Sequence, residues 1–366
     1  MKLDRLDILH TCIPLNQTFR TSFGAINEQH SIVVKAYSDG LVAYGEACPF
    51  YAPVYSYECI ATMTAVIRDF IAPAVLGREL GEPAGPGYAE ATDFIKGNNH
   101  AKAAVETALW DLESERRGIP LWKLVGGTNP KVDVGVSIGI QPTVEGLLDK
   151  IAAYLGEGYR RIKIKIEPGK DLDTVKAIRA RFPDITLMVD ANSSYELSHA
   201  ELLAGLDGYG LLMMEQPLAE DDIVDHAKLQ SQISTPVCLD ESIHTPEDAR
   251  KAAELGSCKI INIKYGRVGG IRNSIRIHDI CRAAGIGNWA GGMIETGIGQ
   301  RFKLAISTLP NFVYAADIET SDRFLVEDVV TPDIMHVNGY LDANTDYRVD
   351  EVKLNRYTSE VTICRP

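Results

Sequence analysis

Five ionisable residues, Lys165, Asp190, Glu215, Asp240 and Lys264, follow one another at intervals of 25, 25, 25 and 24 residues. Each closes an apolar run: Ile-Lys-Ile-Lys, Met-Val-Asp, Met-Met-Glu, Cys-Leu-Asp and Ile-Asn-Ile-Lys. Taken singly they have dull explanations, since Asp190 suits a helix cap and Glu215 or Asp240 a turn. Taken together they do not. Three carboxylates brought to the end of one apolar core repel one another and lose solvation, and a divalent cation resolves that conflict. An all-oxygen donor set without thiol or imidazole suits a hard ion, Mg²⁺ first and Mn²⁺ as a substitute. Lys163 and Lys165 alternate with isoleucines at the period of a strand and so point the same way. Mutual repulsion and dehydration favour the neutral amine at one of them, which is what a lysine base requires. An edge strand guarded by lysines explains the same pattern, and the stretch alone does not decide between the two.

The elements that must carry these residues are legible around them. From residue 132 onward, strand-like runs recur at 132–140, 162–166, 185–190, 211–215, 236–240, 259–264, 287–291 and 311–317, with amphipathic helices expected at 143–155, 171–181, 198–206 and 246–255. Eightfold alternation of strand and helix is the pattern of a (β/α) barrel, with a doubly wound open sheet as the alternative. One charge per strand end places the set on the carboxyl rim, the catalytic face of a barrel. Lysines from the second and sixth strands then flank carboxylates from the third, fourth and fifth. A substrate carboxylate chelated between them shows its α-carbon to a lysine on either side. The first hundred or so residues read as an α+β unit: strands at 2–14, 31–38 and 41–47, helices at 57–76, 86–96 and 100–117, and a polar loop at 16–30. Phe19, Arg20 and Phe23 in that loop suggest a lid, and with Phe50 and Tyr51 they are candidates for the substrate wall. The final residues leave the barrel rhythm, with strand-like runs at 334–341 and 347–357. They are too few to bury a core and are expected to fold back on the N-terminal unit.

Composition narrows the partners. A net charge of -13 argues against nucleic acid or an anionic membrane, while leaving room for a small anionic carboxylate in a locally positive pocket. Seven dispersed cysteines without a CxxC pair read as reduced thiols of a cytoplasmic protein. No leader block or membrane-length apolar run is visible. Oligomeric state stays open, with a homo-oligomer as the form to test.

The Lys-x-Lys strand, the Asp190, Glu215, Asp240 series and Lys264 resemble the muconate lactonizing enzyme subgroup of the enolase superfamily, over nearly the whole chain. Ile263-Lys264-Tyr265-Gly266-Arg267-Val268-Gly269-Gly270, Gly291-Gly292-Met293-Ile294-Glu295-Thr296-Gly297 and Ser321-Asp322-Arg323-Phe324 are similar to its o-succinylbenzoate synthase / N-succinylamino acid racemase family. The resemblance implies an α/β fold, a modified TIM barrel (β/α)7β over 126–318, with an α+β capping domain formed from both termini, 1–125 and 319–366. It implies Asp190, Glu215 and Asp240 as metal ligands supported by Asn192 and Glu241. Lys165 is expected to abstract the α-proton and, in dehydration, to return it to the departing hydroxyl. Lys264 becomes the acid/base on the opposite face, or a cation over the intermediate. A lysine base beside an enediolate stabilised by Mg²⁺ is the known pattern of enolase-superfamily sites. Lys163 is expected to support the base by charge and to touch substrate oxygen, Arg267 to tune Lys264, and Glu295 to lie near the pocket. Asp317-Ile318-Glu319 departs from the Asp-x-Asp of the dipeptide epimerases, no histidine ends the sixth or seventh strand, and Lys170 stands where several relatives carry tryptophan.

The activity expected is Mg²⁺-dependent dehydration to o-succinylbenzoate in menaquinone biosynthesis, with N-succinylamino acid racemisation as second or main role and dipeptide epimerisation behind it. A Schiff-base aldolase using Lys264 leaves three carboxylates unexplained, and a retired binding scaffold would be expected to have lost one of the five.

Overall fold

The computed structural model describes residues 1–21 and 24–366, with the side chains of Arg20 and Thr21 also outside the description. Phe23, one of the expected wall residues, therefore lies outside it, as does the side chain of Arg20. In the cap, the strands Arg5–Thr21, Gly24–Ser38 and Leu41–Ala47 form an antiparallel meander, and Thr358–Cys364 adds to its outer side against the first strand. The described residues of the polar stretch, 16–21 and 24–30, are thus strand and not loop. The ladder continues past a register shift between Pro14 and Phe19 to pair Phe19 with Ile26 and Arg20 with Ala25. Pairing satisfies backbone groups whatever the side chains, and a hairpin arm with solvated faces tolerates a polar sequence. One face of the sheet carries the helix Asn99–Arg117, whose buried Ala103, Ala104, Ala108 and Leu112 allow close approach. At Gly45, any Cβ would meet that helix's backbone at 2.2 Å.

Seven parallel strands, Val136–Ile138, Ile162–Lys165, Leu187–Asp190, Met214–Glu215, Val237–Leu239, Ile260–Ile263 and Gly287–Ala290, follow one another in sheet order. Helices at Val144–Gly156, Asp171–Arg181, Ala200–Ala204, Val224–Gln230, Pro246–Leu255, Ile271–Ala284 and Gly297–Ile306 lie between or after them. The eighth expected strand, 311–317, is an extended segment that closes the barrel through isolated parallel bridges, Asn288 to Phe312 and Val134 to Ala316. Its ladder stays irregular partly because Arg161 Nη2 takes the Ala315 carbonyl at 3.0 Å. The short helix Ser321–Phe324 follows it directly in place of an eighth full helix, so the architecture is the modified (β/α)7β barrel. Trp289, Met188, Cys238 and Ile260 fill the barrel interior. The second strand is paired on both sides, which removes the edge-guard reading of its lysines.

The C-terminal stretch differs from the two expected strands. Tyr340–Asp342 pairs with Lys131–Asp133 at the entry to the barrel, and Glu351–Tyr357 is a helix. Asp350 caps that helix by accepting from the N–H groups of Val352 and Lys353, and Leu354 is its buried anchor. All seven cysteines are free. Among the described residues no helix is long and apolar enough to cross a membrane.

Candidate active site

Parallel register carries the charged residues to one rim: Lys165 pairs with Asp190, and Asp190 with Glu215. Asp240 directly follows the strand Val237–Leu239, and Lys264 follows Ile260–Ile263. One cavity is lined by Lys163, Lys165, Asp190, Asn192 and Lys264 from the barrel and by Phe19, Phe50 and Tyr55 from the cap. Its remaining wall is Ser137, the loop Gly292 to Ile294, Asp317, Glu319 and Phe324, which Phe19 meets edge-on at 5.1 Å.

The side chains are tied into one ionic network. Lys165 Nζ donates to Asp190 Oδ2 at 2.6 Å and to Asn192 Oδ1 at 2.5 Å. Lys163 Nζ donates to Glu215 Oε2 at 2.6 Å and stands 2.9 Å from Asp190 and 3.7 Å from Asp317. Burial works to lower the Lys163 pKa, yet Asp190, Glu215 and Asp317 outweigh it and hold the ammonium well above its usual value. Burial likewise works to raise Asp190, but Lys163 and Lys165 keep it below the usual carboxylate range. Glu215 goes the other way: burial and the neighbouring Asp190 push it up against the pull of Lys163 and Lys264. Asp190 has two lysines at contact distance and Glu215 one, which accounts for the opposite signs.

On the far side Lys264 Nζ lies 2.8 Å from Asp240 Oδ2 and donates to Tyr55 Oη at 3.0 Å. Burial works to lower Lys264, and Tyr55, Glu241 and Glu215 raise it above its usual value. Asn192 Nδ2 donates to Glu241 Oε1 at 3.0 Å, so the two expected supporting residues do touch.

Three carboxylate residues without a thiol or imidazole match the donor chemistry of a hard divalent ion. Glu241 Oε2 is a buried oxygen without a hydrogen-bond partner, and Asp240 Oδ2 has only the Lys264 ammonium beside it, a costly arrangement that a cation would relieve. The oxygens of Asp190, Glu215 and Asp240 are not gathered to within 4.8 Å of one another; among the described residues that closeness occurs only for Cys12, Glu28 and His30. In the rim triad, Lys163, Lys165, Lys264 and Arg267 take the oxygens instead. The residues therefore fit a divalent cation by type and position, with the lysines balancing the carboxylate charge.

Arg267, expected to tune Lys264, shares Asp240 with it, whereas Glu295, expected near the pocket, and Tyr51, expected in its wall, stand outside the cavity. Arg267 is buried and ion-paired to Asp240, and it donates to the carbonyls of Ile243 at 2.8 Å and Asn262 at 2.7 Å. It thus fixes a carboxylate and two backbone carbonyls. It also borders a neighbouring cleft with Tyr55 and Glu241. Glu295 turns away from the cavity to accept from Lys303 Nζ and the Met293 N–H, both at 2.9 Å. That contact needs a buried partner charge, and the helix Gly297–Ile306 supplies it. Tyr51 is 63% exposed and its ring lies tilted against that of His30, outside the pocket.

Sequence reasoning passed over Tyr55 and Ser137. A tyrosine five residues beyond Phe50 was available as a signal for the first; a lone serine in the first strand offered none. Asp317 and Glu319 stood out by motif alone. The structure gives them partners: Asp317 accepts from Arg161 Nη2 at 2.5 Å and Ser137 Oγ at 2.7 Å, and Glu319 is ion-paired to Arg323.

Comparison with known proteins agrees with this geometry. Residues 5–126 match the mandelate racemase / muconate lactonizing enzyme N-terminal domain, and residues 146–347 the enolase C-terminal domain-like family. The chain is 45% identical to an o-succinylbenzoate synthase of Geobacillus kaustophilus, over 98% of this chain and 96% of that protein. It is 42% identical to an N-succinylamino acid racemase of Thermus thermophilus, over 90% and 89%. An enolase-superfamily protein of Listeria innocua superposes with a TM-score of 0.96 at 37% identity, covering 100% of this chain and 99% of that one. The chain belongs to the enolase superfamily, in the mandelate racemase / muconate lactonizing enzyme family, among the o-succinylbenzoate synthases and N-succinylamino acid racemases.

Proposed function

We propose that this protein is an o-succinylbenzoate synthase, a carbon–oxygen lyase that dehydrates 2-succinyl-6-hydroxy-2,4-cyclohexadiene-1-carboxylate for menaquinone biosynthesis. The carrying observation is that Lys165 and Lys264 line one cavity from the second and sixth strands, with the carboxylate-bearing strands between them. We take residues 126–318 as the catalytic barrel and 1–125 with 319–366 as the cap. Asp190, Glu215 and Asp240 would hold a divalent cation, Mg²⁺ or its substitute Mn²⁺, which would supply Lewis-acid neutralisation of the substrate carboxylate. Lys165 Nζ, released from Asp190, takes that proton and returns it to the departing hydroxyl. Asn192, its other partner, keeps the amine aimed. Lys264 remains an ammonium, raised by Tyr55, Glu241 and Glu215, and presents positive charge to the opposite face. Lys163, engaged by two carboxylates, holds the field and stays out of proton transfer. Phe19, Phe50 and Phe324 exclude water above the site.

The same two lysines support racemisation of N-succinylamino acids, since a proton removed by one can be replaced from the other side by its counterpart. Purified protein with Mg²⁺ is expected to form o-succinylbenzoate, and chelation to stop it; no product under those conditions removes the lyase reading. Exchange of the α-proton of an N-succinylamino acid in D₂O, with loss of optical rotation, tests the racemase reading. An unchanged rotation and an unlabelled substrate reject it.

A further inference from the structure

On the cap, away from the catalytic cavity, the antiparallel ladder places Cys12 directly opposite His30 and Pro14 opposite Glu28. Residues two apart on a strand share a face, so His10, Cys12, Glu28 and His30 project together. The ligand atoms of Cys12, Glu28 and His30 all lie within 4.8 Å of one another. Cys12 Sγ is 3.9 Å from His30 Nε2, and Glu28 Oε2 is 3.6 Å from the same nitrogen. Around a tetrahedral Zn²⁺, with Zn–S of about 2.3 Å and Zn–N or Zn–O of about 2.0 Å, those separations are about 3.5 Å and about 3.3 Å. The three donors thus stand within a small rotamer adjustment of that geometry.

The surroundings supply what an imidazole ligand needs. His30 Nδ1 is 3.1 Å from His10 Nε2, and His10 Nδ1 is 3.1 Å from Ser359 Oγ on the C-terminal strand. A chain in which each imidazole donates from Nδ1, His30 to His10 and His10 to Ser359, leaves His30 Nε2 as a lone pair aimed at Cys12 and Glu28. Such an outer partner fixes the tautomer of a metal-bound histidine. Tyr51 closes one side, its ring 4.8 Å from that of His30.

We propose that Cys12, Glu28 and His30 form a binding site for a borderline divalent ion of the Zn²⁺ class, with His10 as the orienting partner and the fourth position open to water. One thiolate, one imidazole and one carboxylate select such an ion over Mg²⁺, so the site is chemically distinct from the all-oxygen rim of the barrel. Binding displaces the Cys12 thiol proton to solvent; nothing is oxidised or reduced. Because His30 also accepts from Cys48 Sγ at 3.1 Å through its carbonyl and its ring packs at a tilt against Tyr51, the ion would brace the stretch leading to Phe50 and Tyr55.

The test is a Co²⁺ titration of the reduced full-length protein in excess Mg²⁺. A thiolate-to-cobalt charge-transfer band in the near ultraviolet should saturate at one equivalent and be bleached by Zn²⁺; the barrel rim holds no thiol and cannot produce it. Cys12→Ser and His30→Ala should remove the band, Glu28→Gln should weaken Co²⁺ binding at least tenfold, and Cys364→Ser should leave it intact. These side chains lie on partly exposed strand faces, and far-ultraviolet circular dichroism verifies folding of each variant. The wild-type titration decides even if a variant fails to fold. No band at one equivalent, a band that survives Cys12→Ser, or unchanged affinity in Glu28→Gln overturns the site.

Discussion

Gly270 and Glu106 hold the sixth barrel unit to the cap, and changing them tests whether that joint is as close as it looks. Glu106, 3% exposed on the cap helix Asn99–Arg117, accepts from the Ile271 N–H at 2.6 Å and the Arg272 N–H at 3.0 Å, the first turn of the helix Ile271–Ala284. It also accepts from Trp110 Nε1 at 3.0 Å. A carboxylate there satisfies orphan donors and faces the positive end of the helix. Glu106→Ala leaves three N–H groups without their partner, which at about 1–3 kcal/mol per buried unsatisfied group places the cost at about 3–5 kcal/mol after partial rehydration. Gly270 has φ +114° and ψ -177°, a region that only glycine enters readily, at about 1–3 kcal/mol for any other residue. A Cβ there would stand 2.0 Å from Glu106 Oε2, so Gly270→Ala adds a collision to the strain. Since Glu106→Ala removes the colliding atoms, the double variant should be less destabilised than the sum of the singles, by about 1–3 kcal/mol. Urea unfolding of the four proteins measures this. Additive costs, or a Gly270→Ala protein within about 0.5 kcal/mol of the parent, would refute the reasoning.

Lys165→Ala should lower turnover in both reactions by about 10²–10⁴-fold with the fold intact, whereas Lys264→Ala should end racemisation but still exchange the α-proton of one enantiomer; a Lys165→Ala protein with parental turnover means that the base is another residue. Glu46 links cap to barrel by accepting from Thr296 Oγ1 at 2.7 Å and the Gly299 N–H at 2.6 Å, and burial pushes its carboxyl from 4.5 up to about 7. Its folded form binds the proton more tightly, so its contribution to stability is complete below about pH 4.5 and is lost as pH rises through about 7, up to about 3 kcal/mol in all. Unfolding midpoints across that window should show the slope, and Glu46→Gln should flatten it. Glu295→Gln should cost about 3–5 kcal/mol by stranding the buried Lys303 ammonium, Glu295→Gln with Lys303→Met should recover much of it, and KM should stay near the parent value. A large rise in KM without loss of stability would return Glu295 to the substrate wall.

What the sequence made legible was periodic. Strand-end charges at even spacing fix both the barrel and the rim they share, because parallel register converts a constant interval into proximity. The Lys165–Asp190 contact follows from that register, whereas the Asn192–Glu241 pair was expected from the family resemblance. Tertiary pairing was not legible. Residues 16–30 look like a loop because their side chains are polar, but a ladder is made by backbone groups. Residues 347–357 alternate like a strand, but Asp350 and a single buried leucine turn most of them into a helix. Glu295 sits next to pocket residues in sequence and points away from them, since the deciding partner, Lys303, lies on the next helix. Tyr55 reaches the site from the other folding unit, and nothing local announces that.

The outer strand of the cap, Thr358–Cys364, is made after the whole barrel and yet pairs with Arg5–Thr21, near the opposite end of the chain. On the ribosome the early strands must wait, one edge unpaired, while the barrel emerges and folds between them and their partner. The aromatic roof supplied by the cap can settle only once that last strand is released. A chain cut before residue 358 should lose the outer partner of the strand that carries Phe19, and with it the support of the roof over the two lysines.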